Sequence, residues 1–136
     1  MKWALLFCLC NLTLWGQFQF NFDHSIPVTV DGISLKSPWA GGLNTPQFST
    51  LDYDYDGDED LLIFDRSADQ IRLFKYSVQN GLPHYEIDLR AHLFFPPNLY
   101  YRVTTHDYDQ DGRKDLFSYA IGGIQAYRNI GNAASG

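Results

Sequence analysis

Asp52-Tyr53-Asp54-Tyr55-Asp56-Gly57-Asp58-Glu59-Asp60-Leu61 is the stretch on which the reading of this chain turns. It returns 55 residues later as Asp107-Tyr108-Asp109-Gln110-Asp111-Gly112-Arg113-Lys114-Asp115-Leu116. Both copies carry Asp at positions 1, 3, 5 and 9, Gly at position 6 and Leu at position 10. Carboxylates at this density repel one another unless positive charge sits among them. A hard cation bound through oxygen answers that need, and Ca²⁺ accepts about 6–8 oxygens at about 2.3–2.6 Å in flexible geometry.

If the loop wraps an ion, Asp at positions 1, 3 and 5 sends three carboxylates to one centre: Asp52, Asp54 and Asp56, then Asp107, Asp109 and Asp111. Gly57 and Gly112 allow the backbone a positive φ that turns the chain back toward the ion. Position 7 then contributes a carbonyl, so its side chain is free to differ, Asp58 in one copy and Arg113 in the other. Asp60 and Asp115 at position 9 close the sphere. An EF-hand shares positions 1, 3, 5 and 6, but it needs Glu at position 12 and two flanking helices. Position 12 is Ile63 or Ser118 and the flanks read as strands, so the EF-hand is excluded.

Outward from the loops the pattern is that of short strands. Gln47 to Leu51 leads into the first loop, Leu61 to Phe64 leaves it, and Ile71 to Tyr76 alternates as a third strand. His84 to Leu89 follows the Asn80-Gly81 turn as a fourth. The second repeat predicts strands over Tyr100–Thr105, Leu116–Ala120 and Ile124–Arg128. Ile124-Gln125-Ala126-Tyr127-Arg128 aligns with Ile71-Arg72-Leu73-Phe74-Lys75 at an offset of 53, so the preceding turn is two residues shorter. Upstream, Gln17 to Asp23 alternates Phe18, Phe20 and Phe22 against polar residues. Ile26 to Val30 is β-branched and ends at the turn dipeptide Asp31-Gly32. Pro96-Pro97 keeps the link between the repeats from being helical.

The 136 residues amount to one domain length at most. Lys2, the apolar run Trp3 to Trp15 and the small Gly16 predict a secretory signal peptide over 1–16, too short to span a membrane. Cys8 and Cys10 both fall within it, so the mature chain lacks disulfides and needs another staple, which bound metal supplies. Of 16 acidic residues, ten lie in the two loops, so the net charge of −6 is ligand charge rather than a solvating surface. No basic patch suggests nucleic acid. His24, His84, His92 and His106 show no ligand spacing, Asp65-Arg66 and Asp69 read as a turn ion pair, and no catalytic Ser/His/Asp or Cys/His set is present.

Asp-x-Asp-x-Asp-Gly-x-x-Asp-Leu between strands, repeated at this spacing, resembles the FG-GAP/VCBS repeat of integrin-α-like β-propellers. The likeness covers roughly Trp39 to Asn129, and Trp39 to Phe48 is similar to the entry segment of secreted bacterial VCBS-repeat proteins. It implies an all-β fold of antiparallel four-stranded blades, with a structural Ca²⁺ between the first two strands of each. The ligands it implies are Asp52, Asp54, Asp56, Asp60 and the Asp58 carbonyl, then Asp107, Asp109, Asp111, Asp115 and the Arg113 carbonyl.

The expected organisation is N-terminal strands and an entry loop over 17–46, a first repeat over 47–98 and an incomplete second over 99–136. Propellers close with about 4–8 blades, so two blades read as a piece of a longer propeller, the alternatives being closure by oligomerising or an open sheet stack with exposed edges. The expected function is non-enzymatic: secreted binding, adhesion or scaffolding toward a protein or glycan ligand at the cell surface. The alternative is the accessory propeller of a larger secreted hydrolase or lyase.

Overall fold

The structure, a computed structural model, describes Phe20, Asp23 and residues 25–132. The expected signal peptide and most of the Gln17–Asp23 strand lie outside the described residues. Those described form an all-β molecule of three antiparallel sheets that do not close on one another, with one 3₁₀ turn at Ala91–Leu93 in the link between the two larger sheets. None of their helices is long and apolar enough to cross a membrane.

A two-stranded ribbon comes first, β1 (Thr29–Val30) against β2 (Ile33–Ser34). Asp31 and Gly32 between them both take a positive φ, 51° and 77°, the hairpin geometry the dipeptide predicts. The second sheet holds β3 (Pro46–Leu51), β4 (Asp60–Asp65), β5 (Gln70–Gln79) and β6 (Leu82–Asp88) in sequential order. The third holds β7 (Val103–His106), β8 (Asp115–Ala120) and β9 (Gly123–Tyr127), also in order. Each Asp-rich loop joins the first two strands of its sheet. β5 is longer than its apolar run suggests. It pairs with β4 over 70–74 and with β6 over 73–79, so the β5–β6 hairpin runs on past the rest of the sheet.

Strand pairing puts Leu62 opposite Leu73 and Phe64 opposite Ile71, so one face of the four-stranded sheet is continuously apolar. That face packs against Ala91 and Leu99 of the link and against Val103 and Leu116 of the three-stranded sheet. Leu62, Phe64 and Leu73 are almost fully buried there. β3 and β7, the first strands of the two sheets, lie beside each other. The Thr105 hydroxyl donates to the Thr50 carbonyl at 2.8 Å, and the Val103 N–H donates to the Gln47 side chain at 3.1 Å.

The stacking has a direction. Leu116 and Tyr127 are paired neighbours and belong to the face of the second sheet that meets the first. The opposite face carries Phe117, Tyr119, Ile124 and Ala126, at the repeat positions that hold Leu62, Phe64, Ile71 and Leu73 in the first sheet. It is mostly open, with Tyr119 45% and Ile124 77% exposed. The two sheets therefore pack head to tail, front face of one against back face of the next.

Asp65, at the end of β4, is buried and does not pair with its neighbour Arg66 as the sequence suggests. Its carboxylate accepts the Ser67 hydroxyl at 2.7 Å and the Asn44 N–H at 3.0 Å, with Arg72 at 4.0 Å. Asp69 accepts the Tyr101 N–H at 3.4 Å. The Ser67 hydroxyl and the Asn44 N–H together hold the Asp65 carboxyl below the ordinary aspartate value of 3.8. A depressed folded pKa adds stability above that value, and the contribution disappears as pH falls through the folded pKa. Asp65→Asn is therefore expected to lower the melting temperature by several degrees at pH 7, with the gap narrowing below pH 3.8. In the core, Leu73→Ala is expected to cost about 2–5 kcal/mol in urea unfolding, whereas Ile124→Ala on the open face stays within about 0.5 kcal/mol.

Candidate metal centre

Each loop is wound around the carboxylate at its first position. Asp52 accepts the N–H groups of Asp56 and Gly57, both at 3.1 Å. Asp107 accepts those of Asp111 at 3.2 Å and Gly112 at 3.0 Å. Gly57 and Gly112 have φ of 95° and 86°, the positive values that the position demands. Position 4 is left-handed as well, in Tyr55 at 61° and Gln110 at 60°, which the sequence pattern does not announce. Matching strain at two non-glycine residues means that the two loops share one backbone path.

The ninth position ties loop to sheet. Asp60 is 1% exposed; one of its oxygens accepts the Tyr53 N–H at 2.9 Å and the other the Tyr76 N–H of β5 at 2.8 Å. Asp115 accepts the Tyr108 N–H at 3.1 Å and the Asn129 N–H, just past β9, at 2.8 Å. Burial pushes the Asp60 carboxyl above the usual aspartate range; its two N–H donors oppose the shift, and Asp54 and Asp56 add to it. A nearby cation reverses that balance by favouring the charged form.

Two groups of carboxylate oxygens converge within 4.8 Å: Asp52, Asp54 and Asp60, and Asp107, Asp109 and Asp115. These are positions 1, 3 and 9 of each loop. Position 5 lies outside both groups. Asp56 is exposed and its carboxylate accepts the Asp58 N–H at 2.9 Å. Asp111 accepts the Arg113 N–H at 2.9 Å and pairs with the Arg113 guanidinium, which holds its carboxyl below the usual range. At position 7 the Asp58 side chain is exposed, and Arg113 also donates to the Gly131 carbonyl at 3.1 Å.

The residues suit a hard cation. The donor set is all carboxylate, and one oxygen of Asp54 is buried with no hydrogen-bond donor, although Lys75 stands 3.5 Å from the other. A carboxylate with an orphaned oxygen, grouped with two further carboxylates, is an arrangement an ion relieves.

Several contributors escape a reading of the loops alone. Lys75 and Arg128 come from the third strand of each sheet or its end and reach the position-3 aspartates. The 53-residue offset that aligns Lys75 with Arg128 is the signal that marks them. Position 8 is Glu59 in one loop and Lys114 in the other, and these form an ion pair across the two sheets; the bond to Lys114 lowers the Glu59 pKa. Tyr55 donates to the Asn129 side chain at 2.9 Å, a second bridge between the first loop and the other sheet. An open cleft of about 670 Å³ lies beside the first loop, lined in part by Tyr53, Lys75, Arg90, Phe95, Tyr127 and Arg128.

Comparison with protein-family models, with curated proteins and with solved structures finds no match.

Because the buried Asp60 carboxylate satisfies two backbone donors, Asp60→Ala is expected to destabilise the chain by about 2–4 kcal/mol even with a chelator present. Urea unfolding in EDTA checks this, and Asp58→Ala, which removes only an exposed side chain, is the control expected to stay within about 0.5 kcal/mol.

Proposed function

We propose that this chain is a secreted Ca²⁺-binding repeat protein of the β-propeller type, in which each Asp-rich loop holds one structural ion. The observation that carries this reading is the repetition of the site. Two triads, Asp52, Asp54, Asp60 and Asp107, Asp109, Asp115, occupy the same loop positions between the first two strands of successive sheets. The head-to-tail stacking of those sheets supports the propeller reading, because it leaves the second sheet with an apolar face of the kind the first one buries.

In this reading the ion supplies positive charge where three carboxylates meet. Asp56 and Asp111, which stand outside the triads with partners of their own, would complete the oxygen set with the carbonyls of Asp58 and Arg113 by turning in toward the ion. The chain's own part is to hold the loop open: Asp60 pins it to the third strand and Asp115 to the residue just past it, and Gly57 and Gly112 turn it. Extracellular modules bind Ca²⁺ with Kd of about 10⁻⁴–10⁻³ M, a range filled on secretion. The role is binding or scaffolding rather than catalysis, since every clustered carboxylate already has a structural task. The aromatic and cationic cleft beside the first loop gives a protein or glycan ligand a surface to meet.

Calcium is expected to raise the melting temperature, each site adding about 2.7 kcal/mol when the free ion stands at 100 times its Kd. Asp54→Ala and Asp109→Ala are each expected to remove one bound ion from the stoichiometry. Superimposable calorimetric melting curves in Ca²⁺ and in EGTA would reject the structural-ion reading.

A further inference from the structure

The two triads share their carboxylates but not their counter-charge. Lys75 and Arg128 occupy equivalent positions 53 residues apart, and each brings a cation to the position-3 aspartate. At the first loop the contact is a single long one, Lys75 Nζ to Asp54 Oδ2 at 3.5 Å. The ammonium also lies 5.6 Å from the centre of the Tyr53 ring, a second resting place for the same charge. At the second loop the guanidinium spans two carboxylates. Arg128 Nε is 2.6 Å from Asp109 Oδ2, and its Nη2 is 3.5 Å from Asp111 Oδ2, which Arg113 also pairs. The planar fork of arginine suits such a two-point grip, whereas lysine acts as a point charge on a flexible stem.

The surrounding charges widen the difference. The first loop has six acidic residues, the second four. Lys114, in the second loop, is committed to Glu59 of the first, and Asp52 and Asp107 take only backbone donors among their hydrogen bonds. The first triad thus meets one loosely held ammonium, while the second, together with Asp111, meets two guanidinium groups.

The geometry points to Arg128 as a built-in competitor for the cation at the second loop, so that the two sites fill in order, Asp52–Asp60 first. An ion entering between Asp107, Asp109 and Asp115 arrives beside a guanidinium already held by Asp109 and bridged to Asp111, and competes with its charge for the same carboxylates. An ion entering the first loop displaces only a 3.5 Å contact whose ammonium has the Tyr53 ring to turn to. The second site then responds to a higher range of Ca²⁺ than the first. This rests on the Ca²⁺ reading above.

Calorimetric titration of the whole chain with CaCl₂ tests it, on the wild type and on Arg128→Gln, Arg128→Lys and Asp109→Asn. Two affinities are expected in the wild type, and Asp109→Asn is expected to abolish the weaker. Arg128→Gln is expected to tighten the weaker site roughly tenfold, because a repelling charge next to the ion is gone, and to leave the tighter site within about twofold. Arg128→Lys, which keeps the charge but not the fork, is expected to fall between, and it carries the test if circular dichroism shows that the glutamine variant does not fold. Two equal wild-type affinities, loss of the tighter step in Asp109→Asn, or a weaker constant indifferent to Arg128 would each overturn the ordering while leaving calcium binding intact. No heat of Ca²⁺ binding in any variant, together with no Ca²⁺ retained by the chain on equilibrium dialysis, removes the calcium reading itself, a different result.

Discussion

Asp60 lies almost wholly out of solvent with both oxygens occupied, one by the N–H of Tyr53 in its own loop and one by the N–H of Tyr76 in β5. Asp115 repeats the arrangement with Tyr108 and Asn129. A buried charge is tolerated only where it is hydrogen-bonded or paired, and here the satisfaction of that charge brings three segments together. The second residue of the loop, the first residue of the strand that leaves it and the far side of the third strand all meet at one carboxylate. The position of the loop relative to the sheet, and of the position-1 and position-3 aspartates relative to one another, follows from that bond set.

The same loops join the two sheets. Position 8 differs in sign between the copies, and the difference has a use: Glu59 and Lys114 pair across the interface, with the Thr50 hydroxyl bonded to both. Tyr55 reaches Asn129, which in turn donates to the Lys114 carbonyl. The polar bridges run along the loop end, while Leu62, Phe64, Leu73, Val103 and Leu116 form the apolar contact behind them. Burial supplies most of the stacking energy, and the directed polar contacts set which residue faces which. A metal that orders one loop therefore acts on the interface as well as on its own hairpin.

The strands and turns were largely legible because the signals are local. Alternation, a hairpin dipeptide and an apolar run each depend on a few neighbouring residues, and β3, β4, β6, β8 and β9 fall close to their expected places. The two-residue difference between the copies appears as a four-residue turn after β4 and a two-residue turn after β8. β5 exceeds its expected length because the Ser77–Gln79 stretch is held by pairing with β6, not by its own polarity pattern. Asp65 turns away from Arg66 for a related reason: beside the local Ser67, its partners Asn44, Thr45 and Arg72 come from distant segments, and only the fold brings them to it.

For the candidate site the division is sharper. The sequence by itself determined that two loops carry matched aspartates at positions 1, 3, 5 and 9 with a glycine at 6, because spacing within one turn of chain is a local property. Only the tertiary structure decided which of these converge. Positions 1, 3 and 9 do, because the third strand draws the ninth inward, while Asp56 and Asp111 stay at the solvent edge with backbone and arginine partners. It likewise decided that Lys75 and Arg128 stand against the position-3 aspartates. Coulomb interaction depends on distance through space, and the separation of residues 54 and 75, or 109 and 128, is set by how the strands pair.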